Sequence, residues 1–175
     1  IIDESFRINR IFSGILNFAR INKMQLEEFS LEPFFDEVLL LFQHHDAFKK
    51  SVKIKSLYKG KDIRIKADPE QIKEVCINIM TNAYEAMENG GVLTIDCEKN
   101  HSFVTLTISD SGSGIHPEIM TDLFVPFKTT KTNGTGLGMA QAYKIVSQHG
   151  GHIDVKSKQG TGTRVQIVLP VTSHG

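Results

Sequence analysis

The sequence predicts an α+β fold: a two-layer α/β sandwich with helices on one face of a mixed, mostly antiparallel sheet, preceded by one long bundle helix. Three observations carry this. "VKIKSLYKG" and "IRIKA" alternate apolar and charged residues, the mark of strands with one wet face. "VLTIDCEKN" and "FVTLTISDSG" are joined by a few polar residues around Asn100, too few for a crossover, so they read as an antiparallel pair. "HIDVKSKQGTGTRVQIVLP" reads as two more strands about a glycine turn.

The helices follow from apolar spacing. Ile1, Ile8 and Ile15 are spaced by sevens, Ile11 and Phe18 add the second seam position, and Phe12 and Ala19 widen the stripe. Such a helix packs against other helices, either in an inter-subunit bundle or in the core of the same domain. Polar "NKMQLEEFS" separates it from the next apolar block and reads as a junction. Residues 1–29 are therefore expected to be bundle helix and junction, and residues 30–175 the main domain. Ser30 or Glu32 precedes Pro33 near the start of a helix over "FFDEVLLLFQHHDAFKK", where a first-turn proline is tolerated because its missing N–H would be unpaired anyway. "DPEQIKEVCINIMTNAYEAM" begins with Asp68 as N-cap and Pro69 at the first helical position, and carries the stripe Ile72, Val75, Ile79 and Ala83. A long irregular stretch spans residues 111–135, and a last helix follows Gly138.

Composition narrows the function classes. Of 175 residues, 40% are hydrophobic, enough for a core, and 20 basic residues balance 20 acidic ones, so nucleic-acid binding is disfavoured. Cys76 and Cys97 form no C-x-x-C pair, which points away from zinc and disulfides and toward a reduced, cytoplasmic setting. No apolar run approaches the roughly 20 residues that span a bilayer, so no membrane contact by these residues is expected. The chain starts at Ile1 within helical pattern, and the expectation is a fragment of a longer protein, for which a membrane anchor elsewhere stays open.

Three short stretches suggest chemistry. "TKTNGTGLGMAQAYKIV" places Gly134, Gly136 and Gly138 at alternate positions before a helix; glycine lets backbone approach a ligand, and a helix N-terminus attracts an anion such as phosphate. Asn78 and Asn82 stand four apart on one helical face. They are either buried amides bonded to backbone or hard oxygen ligands for Mg²⁺. In "DSGSGI", Asp110 ends a strand beside Gly112 and Gly114, either as an Asp-Gly turn or as an acceptor for an exocyclic amine such as adenine N6.

In order, "NIMTNAYEAM", "DSGSGI", "LFVPFKTTK", "GTGLGMA" and "GTGTRVQIVLP" resemble the five nucleotide-binding boxes of the catalytic domain of bacterial sensor histidine kinases, over roughly residues 31–170. These domains have the Bergerat-type ATP-binding fold of the superfamily that includes gyrase, Hsp90 chaperones and MutL. The resemblance implies ATP and Mg²⁺ between helices and sheet, beneath a mobile lid of residues 111–136. It implies Asn82 as the metal ligand, Asn78 as a phosphate contact with a catalytic role, and Asp110 on the adenine amine with Gly112 and Gly114 shaping that wall. Phe124 and Phe127 would anchor the lid, and Lys128 or Lys131 would reach the terminal phosphates during transfer. Gly134, Thr135, Gly136, Leu137 and Gly138 would line the phosphate tail, and Thr161 and Thr163 would close the adenine pocket.

The resemblance also gives the first helix a place, as the second helix of a dimeric four-helix bundle. The implied partners are a second copy of the chain, a cognate response regulator, and protein inhibitors able to dock on the bundle. The acceptor histidine would lie on a first bundle helix absent from these residues. His45-Asp46 copies half of the acceptor motif but lacks its proline; His44, His101, His116, His149, His152 and His174 are surface or capping residues. Two alternatives are an ATP-driven clamp of the Hsp90 or MutL type and a nucleotide-sensing pseudokinase. The clamp's water-activating glutamate would stand where this chain has Asn78, and an amide is no base. "NAYEAM" and "PFKTTK" look nearest to kinases of the nitrogen-regulation and sporulation type.

Overall fold

The computed structural model describes residues 23–44, 51–129 and 134–171, so the expected bundle helix up to residue 22, the His45-Asp46 pair, Lys131 and His174 fall outside the described residues. The chain runs β1 (Glu27–Ser30), α1 (Leu31–Gln43), β2 (Val52–Ser56), β3 (Arg64–Ala67), α2 (Pro69–Ala86), β4 (Gly91–Lys99), β5 (Phe103–Asp110), α3 (Pro117–Met120), α4 (Gly138–Gln148), β6 (His152–Lys158) and β7 (Gly162–Pro170).

Five strands form one sheet in the order β2-β4-β5-β7-β6, with β2 parallel to β4 and the other pairs antiparallel. Alternation sets its two faces. Leu93, Ile95 and Cys97 of β4, Val104, Leu106 and Ile108 of β5, and Val165, Ile167 and Leu169 of β7 are buried beneath the helices. The intervening Thr94, Asp96, Thr105 and Gln166 point to the other, wetter face. This is the mixed sheet with helices on one face that the sequence predicts.

Helix α2 is the keel of the core. Asp68 caps it as predicted, its side chain accepting from the backbone N–H of Gln71 at 3.1 Å, and Pro69 opens the first turn. Ile72, Val75, Cys76, Ile79, Met80, Ala83 and Tyr84 are buried along it. Helix α1 starts after Ser30 and buries Leu31, Phe34, Phe35, Val38 and Phe42. Phe42 meets Tyr84 edge-on at 4.9 Å, and Phe35 packs on Tyr58 at the same distance. The Tyr58 hydroxyl donates to Asp36 at 2.7 Å, which ties α1 to the segment after β2.

Three features depart from the sequence reading. The stretch read as a polar junction contains β1, which pairs antiparallel with β3 in a separate two-stranded sheet and straddles the expected boundary at residue 29. Its Glu27 and Glu28 are exposed and only Phe29 packs inward, so a four-residue edge strand shows no alternation to detect. The similar-looking β2 and β3 accordingly join different sheets. Helix α1 ends at Gln43 with His44 as C-cap, short of the run to Lys50.

Burial pushes the Cys76 thiol up to about 12 and the Cys97 thiol to about 11, so both are neutral packing residues at ordinary pH. Among the described residues no helix is long and apolar enough to cross a membrane. Leu106 is fully buried between Cys97 and Ile167 in the central strand. Leu106→Ala is expected to lower the unfolding free energy by about 2–5 kcal/mol in urea melts. Leu40→Ala, on the exposed side of α1, is expected to change it by less than ~0.5 kcal/mol.

Candidate nucleotide site

The site is built where β5 ends. Cα pairing sets Asp110 opposite Thr163, so the last carboxylate of β5 faces the first residues of β7. Its Oδ1 accepts from the backbone N–H of Gly112 at 2.8 Å and of Thr163 at 3.3 Å. Both donors use the same oxygen, which leaves Oδ2 for a ligand amine. Burial holds the Asp110 carboxyl above the ordinary carboxylate range, and the two backbone hydrogen bonds pull it back only in part.

The surrounding backbone is closely approached. A Cβ on Gly112 would stand 2.6 Å from the carbonyl oxygen of Ala86, so the strand end can reach the last turn of α2 only without a side chain. The next amide, of Ser113, donates to that same carbonyl at 3.0 Å. Gly114 lies against the backbone of Lys158 and Gln159. Ser157 ties this corner together, its hydroxyl accepting from Ile115 N–H at 2.8 Å and lying 3.0 Å from the Thr163 hydroxyl. Thr163 is buried; Thr161 sits exposed in the preceding turn, its N–H donating to the Lys158 carbonyl at 3.0 Å. Ser157 and Gly162, whose backbone meets that of Asp110, were missed by the sequence reading. Only pairing across β6 and β7 reveals them.

Asn78 and Asn82 occupy one flank of α2 and are half-buried. The start of α4 comes to Asn78: a Cβ on Gly138 would lie 3.6 Å from its amide oxygen. Helix α4 has no side-chain cap, and the buried Leu137 before it donates its N–H to the Thr135 hydroxyl at 3.4 Å. An uncapped N-terminus facing an amide, with no side chain between them, is a cradle for an anion. Gly134 lies exposed just before this start. Gly136 adopts φ +67°, packed on the backbone of Phe127 and Lys128, and its carbonyl accepts from Phe127 N–H at 3.1 Å. That bond ties Phe127 to the residues just before α4.

The expected lid anchors behave differently from each other. Phe124 packs on Tyr143 of α4 with ring centroids 5.1 Å apart and reaches the core. Phe127 does not anchor by its ring: its side chain is 60% exposed, its φ is +65°, and only its backbone is held. Lys128 is exposed and pairs with Asp122 at 3.4 Å. The structure thus gathers Asn78, Leu137 and Gly138 at one end, and Asp110, Gly112 and Thr163 at the other, with Thr161 on the rim.

The sequence profile of the histidine kinase-, DNA gyrase B- and HSP90-like ATPases matches residues 67–173. The chain is 35% identical over 172 residues to the sensor histidine kinase ZraS of Salmonella typhi, covering 98% of this chain and 37% of that protein. It is 32% identical over 173 residues to sporulation kinase C of Bacillus subtilis, covering 99% and 40%. The chain therefore spans well under half the length of these curated relatives. Among solved structures, the catalytic domain of the histidine kinase ThkA superposes with a TM-score of 0.74 at 33% identity, over 84% of this chain and 98% of that one. ThkA in complex with the response regulator TrrA gives 0.80 at 29% identity, over 97% of this chain and 49% of that one.

Asp110→Asn tests whether this carboxylate accepts a ligand amine. The amide keeps one oxygen for Gly112 and Thr163 but turns an NH₂ toward a ligand amine, so a charge-assisted acceptor becomes a second donor. The expected cost is about 1.5–3 kcal/mol, or roughly 10- to 150-fold in ATP affinity by calorimetry. A bound amine favours the charged carboxylate, so affinity is expected to fall as pH drops through the raised value of Asp110 and to be fully present above it.

Proposed function

Because the chain belongs to the histidine kinase-, DNA gyrase B- and HSP90-like ATPase family and carries a histidine kinase catalytic domain, we propose that it binds Mg²⁺-ATP and transfers the γ-phosphoryl group to a histidine. That histidine would lie on the other helix of a dimeric bundle, for relay to an aspartate of a response regulator. The observation that carries this reading is the pairing of Asn78 with the uncapped start of α4. The phosphate end has an amide and helix N–H groups, but Asn78 offers no carboxylate to activate water, so the phosphoryl group is held for an external nucleophile. The same observation disfavours the clamp reading.

Each residue then has a task. Asp110 accepts the adenine amine through Oδ2, while Gly112 and Thr163 fix the carboxylate from behind. Asn78 and the N–H groups at Gly138 hold the triphosphate, orienting it for in-line attack, and most of the rate in phosphoryl transfer comes from such positioning. Asn82, one helical turn beyond Asn78, fits a hard divalent cation, which takes oxygen donors and shares phosphate and water oxygens. When bound, Mg²⁺ offsets charge on the transferring group. Lys128, and Lys131 beyond the described residues, would approach the terminal phosphates as the lid closes. We assign the residues before β1 to the bundle and its junction, with a second copy of the chain as partner through them.

Two measurements test the reading. With γ-labelled ATP, the chain alone is expected to remain unlabelled, and a polypeptide supplying the acceptor helix is expected to take up acid-labile, base-stable label when mixed with it. Label on this chain that vanishes in His45→Ala would instead make His45 the acceptor. For the metal, Asn82→Ala is expected to abolish the strengthening of ATP binding by Mg²⁺, while Asn78→Ala weakens triphosphate binding with the Mg²⁺ effect intact. Titrations with and without Mg²⁺ read both.

A further inference from the structure

Asp68 makes more bonds than a helix cap needs. Its Oδ1 takes the Gln71 N–H that capping requires, but Oδ2 accepts the backbone N–H of Gln25 at 2.8 Å and the Gln71 side-chain amide at 3.2 Å. Its own backbone N–H donates to Nε2 of His149 at 3.0 Å. His149 is the C-cap of α4, and its Nδ1 lies 2.8 Å from the Ile145 carbonyl. A carbonyl only accepts, so Nδ1 carries the proton and Nε2 is free to accept from Asp68; the two contacts fix one neutral tautomer. Buried Asp68, 7% exposed, thereby joins three segments far apart in sequence: the end of α4 through its backbone N–H, and the start of α2 and the residues that lead into β1 through its carboxylate.

Packing marks the same place independently. Met24 and Leu26, on either side of Gln25, line a shallow groove with Gln148, His149, Leu169 and Pro170. The segment before β1 therefore lies beside the end of α4 through side chains as well as through the Gln25 amide. Helix α4 begins at Gly138 against Asn78 and ends at His149 against Asp68, so it runs antiparallel along α2 with one end at the phosphate cradle. Eleven residues make a rod of about 16 Å. A shift at its start is carried to His149 as a rigid displacement.

We propose that Asp68 and His149 are positioning residues that couple the nucleotide site to the segment at Gln25 that leads into β1. This rests on nucleotide binding at the Gly138 end. Phosphate seated on the N-terminus of α4 moves the helix, His149 follows, and the hydrogen bonds through Asp68 shift the Gln25 amide. An ordinary cap would hold α2 equally with or without nucleotide.

The test is amide hydrogen exchange on the full chain, by NMR, with and without Mg²⁺ and a non-hydrolysable ATP analogue, alongside calorimetry for affinity. In the parent, nucleotide is expected to change exchange at Gln25 by at least about three-fold. In His149→Phe, which keeps a ring but neither hydrogen bond, that response is expected to vanish while affinity stays within about three-fold of the parent. His149→Gln, whose amide oxygen can accept from Asp68, is expected to restore it. Should the Phe variant fail to fold, Asp68→Asn decides: its single oxygen serves Gln71 or Gln25 but not both, and loss of the Gln25 response at unchanged affinity supports the relay. An undiminished response in a folded variant, or no Gln25 response in a parent that binds nucleotide, overturns the relay alone. A loss of more than about ten-fold in nucleotide affinity in the variants overturns it too, by making these residues props of the pocket. A parent that binds no nucleotide overturns the reading beneath it.

Discussion

Everything in this domain hangs on the two faces of α2. One side must be apolar enough to seal the sheet, and the adjoining flank must present amides to the site. The helical period allows both only in one phase: Val75, Ile79 and Ala83 face the core, and Asn78 and Asn82 follow one step around the helix. A slip of one position either carries Asn78 into the buried place of Ile79 or, in the other sense, brings Ile79 out onto the flank that Asn78 occupies. Burying an unpaired amide costs a few kcal/mol and exposing isoleucine forfeits about as much again, so phase is fixed by core and site together. The Asp68 cap and Pro69 fix where the helix starts, and hence where along it the amides fall.

The same economy governs the far wall. Register between β5 and β7 is set by burial of Leu106, Ile108, Val165 and Ile167, yet its last pair is Asp110 with Thr163. Displacing the strands by one residue would turn Asp110 away and remove a backbone donor from its carboxylate. Core packing therefore positions the Asp110 carboxylate, the adenine acceptor of the proposed reading, without any interaction devoted to that purpose. The carboxylate itself is unfavourable: burial raises its pKa, and two backbone N–H groups offset this only partly. A binding group held at some cost to the empty protein gains when a ligand amine completes its hydrogen bonds.

Local patterns made most of this legible. Alternation gave the strands, a polar connection too short for a crossover gave the pairing of β4 with β5, and Asp-Pro gave the start of α2 to the residue. Such elements pinned Asn78 to one face of a helix and Asp110 to the end of a strand in advance. Long-range partners could not be pinned in this way. β1 exists because β3 offers it an edge, and nothing within "EEFS" signals that. Ser157 reads as one more polar strand residue until Ile115 and Thr163 arrive from elsewhere. His149 was legible as a cap but not as the acceptor of a bond from a residue 81 positions away. Phe127 was misjudged for a different reason: an aromatic residue in an apolar motif suggests burial, but its backbone takes a positive φ that turns the ring outward.

The end of the site at Lys128 is, on the proposed reading, completed by the phosphates. Lys128 is already paired with Asp122, but both are exposed, and such a pair is worth about 0–1 kcal/mol. Exchanging Asp122 for a phosphate group is therefore cheap, and the multiple charge of a triphosphate makes it favourable. The Phe124 ring on Tyr143 is a firmer hold, since paired aromatic rings contribute about 0.5–1.5 kcal/mol beyond the area they bury. That contact joins the segment before Lys128 to α4. On the proposed reading, a triphosphate seated at the start of α4 would act on Phe124 beside it and on His149 at the opposite end of the helix. A single short helix, buried along Ala142, Ile145 and Val146 and bonded to Asp68 through His149, is on that reading the element through which occupancy of the site is felt elsewhere.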